Sequence, residues 1–179
     1  GLGVALAVLG GPVAFAMAFL PGVVWLCYAS DLFPSFARLR PLKTVFVLNS
    51  ILVAAVWAIG MVFLPMVFVG APITGTSGVI FVFFFLATFV NVEIPNVGDL
   101  AGDREAGVET FPVVLGVDGT RYALYGVTAI TAVILAITFG VDVLALEATV
   151  ALLGSLLCLV AIVACIGRVR NSALTLLPS

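Results

Sequence analysis

The chain has no histidine and very few charged side chains. Only 9% of its 179 residues are charged and 64% are hydrophobic, whereas about a quarter of the residues in a typical soluble domain are charged. The absence of histidine removes the commonest general base and the commonest ligand of transition metals. Any metal chemistry must therefore use oxygen ligands, and so apolar a composition excludes a water-soluble fold.

Cysteine content and net charge exclude two further classes of protein. The three cysteines, Cys27, Cys158 and Cys165, all lie in apolar stretches, so we expect membrane-buried thiols and no disulfide. The net charge is −2, and no basic surface indicates binding to nucleic acid. A lipid bilayer is the partner that suits this sequence, because a helix of about 20 apolar residues spans the hydrocarbon and satisfies its own backbone hydrogen bonds.

Apolar runs separated by glycine, proline and charge predict an all-α bundle of transmembrane helices. The chain forms a single transmembrane domain with six predicted spans, at about 1–9, 12–29, 44–69, 78–94, 122–140 and 148–167. Because the chain opens inside an apolar run without a charged flank, we expect a domain that is incomplete at both ends. Pro21 is expected to kink the second span, and Pro65 to end or bend the third.

The positions of the cations predict the orientation of the chain. All seven lysines and arginines lie in loops that this division into spans places on one face: Arg38, Arg40, Lys43, Arg104, Arg121, Arg168 and Arg170. The loops near 70–77 and 141–147 contain none. By the positive-inside rule, the loops that carry cations face the cytoplasm, as expected for a multi-pass protein of the cell membrane.

Acidic residues are concentrated in one region, since five of the nine acids lie within 93–109. Asp99 and Asp103 are four residues apart, so on a helix they project from one face, and Asn96 continues that face one turn earlier. Three oxygen-bearing side chains at a membrane face suit Mg²⁺ that is shared with phosphate oxygens of a substrate. The alternative is a solvated helix end, because acidic pairs at this spacing are common on exposed helices.

The acidic pair belongs to a longer pattern, which reads Asp99-x-x-Gly-Asp103-Arg104-x-x-Gly107-x-x-Thr110-x-Pro112-Val-x-Leu-Gly116. This pattern resembles the second aspartate-rich motif of the UbiA-type intramembrane prenyltransferase family. A weaker similarity lies upstream, where Tyr28-x-Ser30 is followed by Arg38, Arg40 and Lys43 at the opening of a new span. That segment is similar to the tyrosine and lysine segment before the family's fifth helix.

The resemblance implies a bundle of about nine spans around a central cavity, of which this chain contains six segments. It implies that Mg²⁺ holds an isoprenyl diphosphate, whose ionisation yields an allylic cation that a lipophilic acceptor captures. Asp99 and Asp103 are implied to be catalytic metal ligands, and Asn96 lies beside them on the same face. Contacts to the diphosphate are implied for Arg104, Lys43, Tyr28 and Arg40. The acceptor, an aromatic quinone precursor or a lipid, is not defined by the sequence.

The chain departs from the family pattern at several places. Asn96 stands where the family often has Asp, and Gly98 stands where many members carry a polar residue. Either change would weaken metal binding or mark a subfamily with another acceptor. The first aspartate-rich motif is absent from the sequence, so we expect that the parent protein is an enzyme and that this fragment alone is inactive.

We expect structural roles for two glycines of the motif, and we expect three nearby acids to lie in solvent. Gly102 and Gly107 are expected to serve backbone turns. Glu105, Glu109 and Asp118 are expected to be solvated loop charges.

Two other functions stay open at this point. A small transporter would use loop carboxylates to attract cations and would need ionisable residues at mid-membrane depth. The centres of the predicted spans contain none, which disfavours transport. A catalytically inactive relative, whose helices serve as an assembly module, is compatible with the substitution at Asn96.

Overall fold

The computed structural model describes residues 8–29 and 48–174, and all regular structure in these ranges is helical. The helices are α1 (Gly11–Ala29), α2 (Leu48–Val69), α3 (Gly75–Gly98), α4 (Leu100–Glu105), α5 (Phe111–Gly140) and α6 (Leu146–Leu174). Four helical segments of the described part are long and apolar enough to cross a membrane: Leu48–Val69, Gly75–Gly98, Phe111–Gly140 and Leu146–Ile166. The predicted all-α membrane bundle is confirmed, whereas the division into individual spans stays a prediction.

Two compact units make up the chain, Gly1–Thr88 and Phe89–Ser179. In the first unit, α1 packs against α2. Ala14, Ala54 and Ala58 are completely buried, and such small residues allow membrane helices to approach closely. The rings of Phe63 and Phe81, with centroids 5.3 Å apart, connect α2 to the first part of α3.

In the second unit, α5 packs along α6 and α4 contacts α5. Leu124, Leu135 and Val163 are almost completely buried, whereas Ile130 and Ile137 are exposed. Exposed aliphatic residues on a long apolar helix suit contact with lipid tails, because the bilayer replaces the packed interior as their apolar environment.

Buried threonines in α5 satisfy their hydroxyl groups within the helix itself. Thr120 donates to the carbonyl oxygen of Gly116 at 2.8 Å, and Thr131 donates to that of Val127 at 2.8 Å. Such bonds to the preceding turn let a polar side chain lie in apolar surroundings without an unpaired donor.

The proline and glycine positions explain where the helices differ from the predicted spans. Pro21 and Pro65 lie inside α1 and α2, so Pro65 does not end its helix. Helix α5 begins at Phe111, well before the predicted span 122–140, because Pro112 is well suited to a first helical turn. Gly116 then interrupts α5 with φ 71° and ψ 172°, a backbone conformation that glycine adopts without steric cost.

Candidate functional site

The acidic cluster lies where α3 ends and α4 begins. Asp99 occupies the junction as the N-cap of α4, with φ −98° and ψ 14°. Its backbone N–H donates to the carbonyl oxygen of Pro95 at 3.1 Å, and the N–H of Asp103 donates to the carbonyl oxygen of Asp99 at 2.9 Å. These bonds span four residues as in an α-helix, so Asp99 and Asp103 lie one turn apart across the junction.

Gly102 makes room for the carboxylate of Asp99. A Cβ atom added to Gly102 would lie only 2.7 Å from Oδ1 of Asp99. Gly102 is not among the residues with positive φ, whereas Gly107 has φ 67°. The expected backbone turn is therefore confirmed at Gly107 and wrong at Gly102, whose missing side chain instead leaves space for the carboxylate.

The second carboxylate of the pair is held by a threonine from the next helix. The hydroxyl of Thr110 donates to Oδ2 of Asp103 at 3.0 Å, and Thr110 is only 6% exposed. Thr110 is the N-cap of α5 but makes no side-chain bond to that helix. The backbone N–H of Val108 also donates to the carbonyl oxygen of Asp103 at 2.9 Å. The hydroxyl bond holds Oδ2 of Asp103 and the backbone bond holds its carbonyl oxygen, so that, within the described residues, Oδ1 is the carboxylate oxygen available to a ligand.

A buried glutamate orients the side chain of Asn96. Nδ2 of Asn96 donates to Oε2 of Glu93 at 3.1 Å, and Glu93 is completely buried. Because the amide nitrogen of Asn96 is committed to Glu93, its Oδ1 is the atom left to accept a bond or bind a cation. The sequence pattern predicts no role for Glu93, although its position three residues before Asn96 on a helix is a signal of contact between the two.

The same contact accounts for the asparagine at position 96. An aspartate there would place a second carboxylate against that of Glu93, and two like charges at this distance repel each other strongly. An amide donates to the buried carboxylate instead. Asn96 and Glu93 therefore form a matched pair.

The structure describes only part of the set of residues expected to contact the diphosphate. Arg104 is exposed and follows Asp103 directly in α4. Tyr28 belongs to α1, but its side chain lies outside the described residues, as do Arg40 and Lys43. Farther along α5, Arg121 lies 3.6 Å from Asp118.

The donor atoms of the cluster fit a hard cation that is shared with a substrate. Asp99, Asp103 and Asn96 supply oxygen atoms, and Mg²⁺ is usually bound by one or two carboxylates together with substrate phosphates and water. Among the described residues, no three histidine, cysteine or acidic side chains come together to hold a metal ion. Asp99, Asp103 and Asn96 therefore suit a cation that completes its coordination with substrate oxygens and water.

Comparisons with known proteins give a family match over nearly the whole chain. The UbiA prenyltransferase family model matches residues 1–175. Digeranylgeranylglyceryl phosphate synthase from two strains of Halobacterium salinarum is 50% identical over 48 residues, which are 27% of this chain and 17% of the relatives' length. No solved structure matches the chain.

Proposed function

Because the chain belongs to the UbiA prenyltransferase family, we propose that the protein transfers an isoprenyl group from a polyprenyl diphosphate to a lipophilic acceptor within the membrane. The observation that supports this proposal is the arrangement of Asp99 and Asp103, which lie one helical turn apart. Gly102 leaves space for the carboxylate of Asp99, and Thr110 donates a hydrogen bond to that of Asp103. A solvated helix end would need neither the space nor the hydrogen bond from a buried threonine.

Some residues of the cluster would bind the metal, and others would contact the diphosphate. Asp99, Asp103 and Oδ1 of Asn96 would hold Mg²⁺, which when bound would neutralise the charge that develops on the departing diphosphate. The exposed guanidinium of Arg104 would contact the diphosphate oxygens, since arginine binds such groups through two parallel hydrogen bonds. We propose the same role for Tyr28, Arg40 and Lys43, and apolar helices around the site would protect an allylic cation from water.

The acceptor proposed here is a glyceryl phosphate lipid. The relatives are named for a digeranylgeranylglyceryl phosphate product, and this chemistry adds an isoprenyl group to a lipid rather than to an aromatic ring. A cytoplasmic position for the cluster is also proposed. It rests on the seven cations, all of which the predicted topology places on one face.

A transfer assay tests the proposed function. Membranes that contain the full-length protein would receive radiolabelled geranylgeranyl diphosphate and a glyceryl phosphate lipid, with either Mg²⁺ or a chelator. We expect label in extractable lipid only with Mg²⁺, and more of it with the lipid acceptor than with an aromatic quinone precursor. No Mg²⁺-dependent product with any acceptor or chain length would favour the transporter or the inactive relative.

Thr110→Val should raise the Mg²⁺ concentration needed for half-maximal transfer about tenfold. Valine has nearly the shape of threonine but cannot donate to Oδ2 of Asp103, so the carboxylate would lose its orientation. Thr110→Ser keeps the donor and should behave nearly as the wild type. An unchanged Mg²⁺ requirement in Thr110→Val would contradict a positioning role for this hydroxyl.

Asn96→Asp should lower transfer about tenfold, even though the family often has Asp at this position, because the new carboxylate would face that of Glu93. Adding Glu93→Gln should restore much of the activity, since a glutamine amide can donate to Asp at position 96. A double-mutant cycle measures this coupling. Additive losses in the double variant would show that the two side chains act independently.

A further inference from the structure

A cleft lies between α1 and α2 in the first compact unit. The acidic cluster belongs to the second unit. Its volume is about 560 Å³, within the range of about 300–1,000 Å³ typical of small-molecule sites. Its walls are formed by Pro21, Gly22, Val24, Asn49, Leu52, Val53, Val56 and Trp57. Nearly all of this surface is apolar, which suits a hydrocarbon chain.

Asn49 is the exception among the lining residues. Its side-chain oxygen is buried and has no hydrogen-bond partner among the residues that the structure describes. Buried polar groups are almost always paired, so an unpaired amide oxygen beside a cleft calls for a donor. The terminal torsion of an asparagine side chain is broad, so rotation about the Cβ–Cγ bond can bring Oδ1 within reach of a ligand in the cleft.

We propose that the cleft between α1 and α2 binds a lipid alcohol, whose hydrocarbon chain lies against the apolar walls and whose hydroxyl donates to Oδ1 of Asn49. A hydroxyl suits an amide because it can both donate to the oxygen and accept from the nitrogen. A pure hydrocarbon would leave the buried oxygen unpaired. The proposal does not depend on prenyl transfer, because none of the lining residues belongs to the acidic cluster.

Binding of tritiated farnesol to the purified full-length protein in lipid nanodiscs tests this site. Competition with unlabelled farnesol and with farnesyl methyl ether separates hydrogen-bond donation from apolar contact, since the ether can only accept. We expect the wild type to prefer the alcohol about tenfold, the usual value of one hydrogen bond in such comparisons. Asn49→Leu should lose this preference, and Asn91→Leu, at an exposed asparagine in α3, should keep it.

A second variant tests the cleft without touching the amide. A Cβ atom added to Gly22 would meet no atom of the described residues within 4 Å, so Gly22→Leu should fill the cleft without disturbing the helix. Loss of binding for both ligands is expected in this variant. Equal affinity of the wild type for alcohol and ether, a preference retained in Asn49→Leu, or wild-type binding by Gly22→Leu would each overturn the proposal. Gly22→Leu decides the matter if Asn49→Leu fails to fold.

Discussion

Replacement of Asp103 by Asn is expected to lower Mg²⁺-dependent prenyl transfer about 10²–10³-fold, the usual cost of removing one group that stabilises charge in a transition state. The variant keeps the size of the side chain, and the amide oxygen of asparagine can still accept the bond that Thr110 donates at 3.0 Å. The change therefore removes one negative charge from the cluster while the contact between α4 and α5 stays in place.

The matched control for this variant is Glu105→Gln. Glu105 lies on the same short helix as Asp103, two residues farther on, and is exposed. Initial rates in membranes, normalised to the amount of inserted protein, compare the two variants. Glu105→Gln should retain nearly full activity. If Asp103→Asn also retained full activity, the assignment of Asp103 as a metal ligand would be wrong.

Gly102→Ala should reduce transfer about 10- to 100-fold, because a displacement of about 1 Å at a reacting group can cost that much. The added Cβ atom would lie 2.7 Å from Oδ1 of Asp99, so the carboxylate must move away. The end of a flexible side chain can move at little cost to folding, and alanine is a better helix former than glycine. The fold should therefore persist while the position of the carboxylate is lost.

Gly98→Ala provides the control for this prediction. Gly98 ends α3 just before Asp99, and within the described part of the chain a Cβ atom there would meet nothing within 4 Å. We expect Gly98→Ala to transfer isoprenyl groups at nearly the wild-type rate. Thermal unfolding of both variants in detergent separates stability from activity. Equal activity of Gly102→Ala and Gly98→Ala would show that the position of the Asp99 carboxylate does not matter.

Composition and local spacing predicted the class of the fold and the location of the cluster. Because 64% of the residues are hydrophobic, the composition alone predicts helices that lie in a membrane. The four-residue spacing of Asp99 and Asp103 depends only on local backbone hydrogen bonds, which persist across the junction of α3 and α4. Properties that depend on a few neighbouring residues were therefore accessible from the sequence.

Properties that depend on packing were not accessible in this way. The burial of Glu93, the space that Asp99 needs beside Gly102 and the bond from Thr110 to Asp103 all depend on where side chains point. Apolar runs do not predict the start of α5 at Phe111, because the charged residues Asp118 and Arg121 interrupt the apolar pattern there. The T-shaped contact between the rings of Phe89 in α3 and Phe111 in α5, with centroids 5.7 Å apart, likewise depends on packing.

The completely buried Glu93 also bears on whether the protein is a transporter. An ionisable residue inside a membrane helix is a functional signal in that class of protein. Here, however, its carboxylate accepts a hydrogen bond from Asn96, which belongs to the cluster at the end of α3. The pairing positions Asn96, a role that the proposed prenyl transfer would use and that ion transport does not require.

Direct binding of an unreactive geranylgeranyl thiolodiphosphate to the purified full-length protein tests the central claim, that the carboxylates of Asp99 and Asp103 hold Mg²⁺ on an isoprenyl diphosphate. Titration calorimetry with Mg²⁺, and again with a chelator, measures the affinity without any turnover. We expect binding that requires Mg²⁺ and that weakens at least tenfold in both Asp99→Asn and Asp103→Asn. Equal affinity with and without Mg²⁺, or unchanged affinity in both variants, would contradict it.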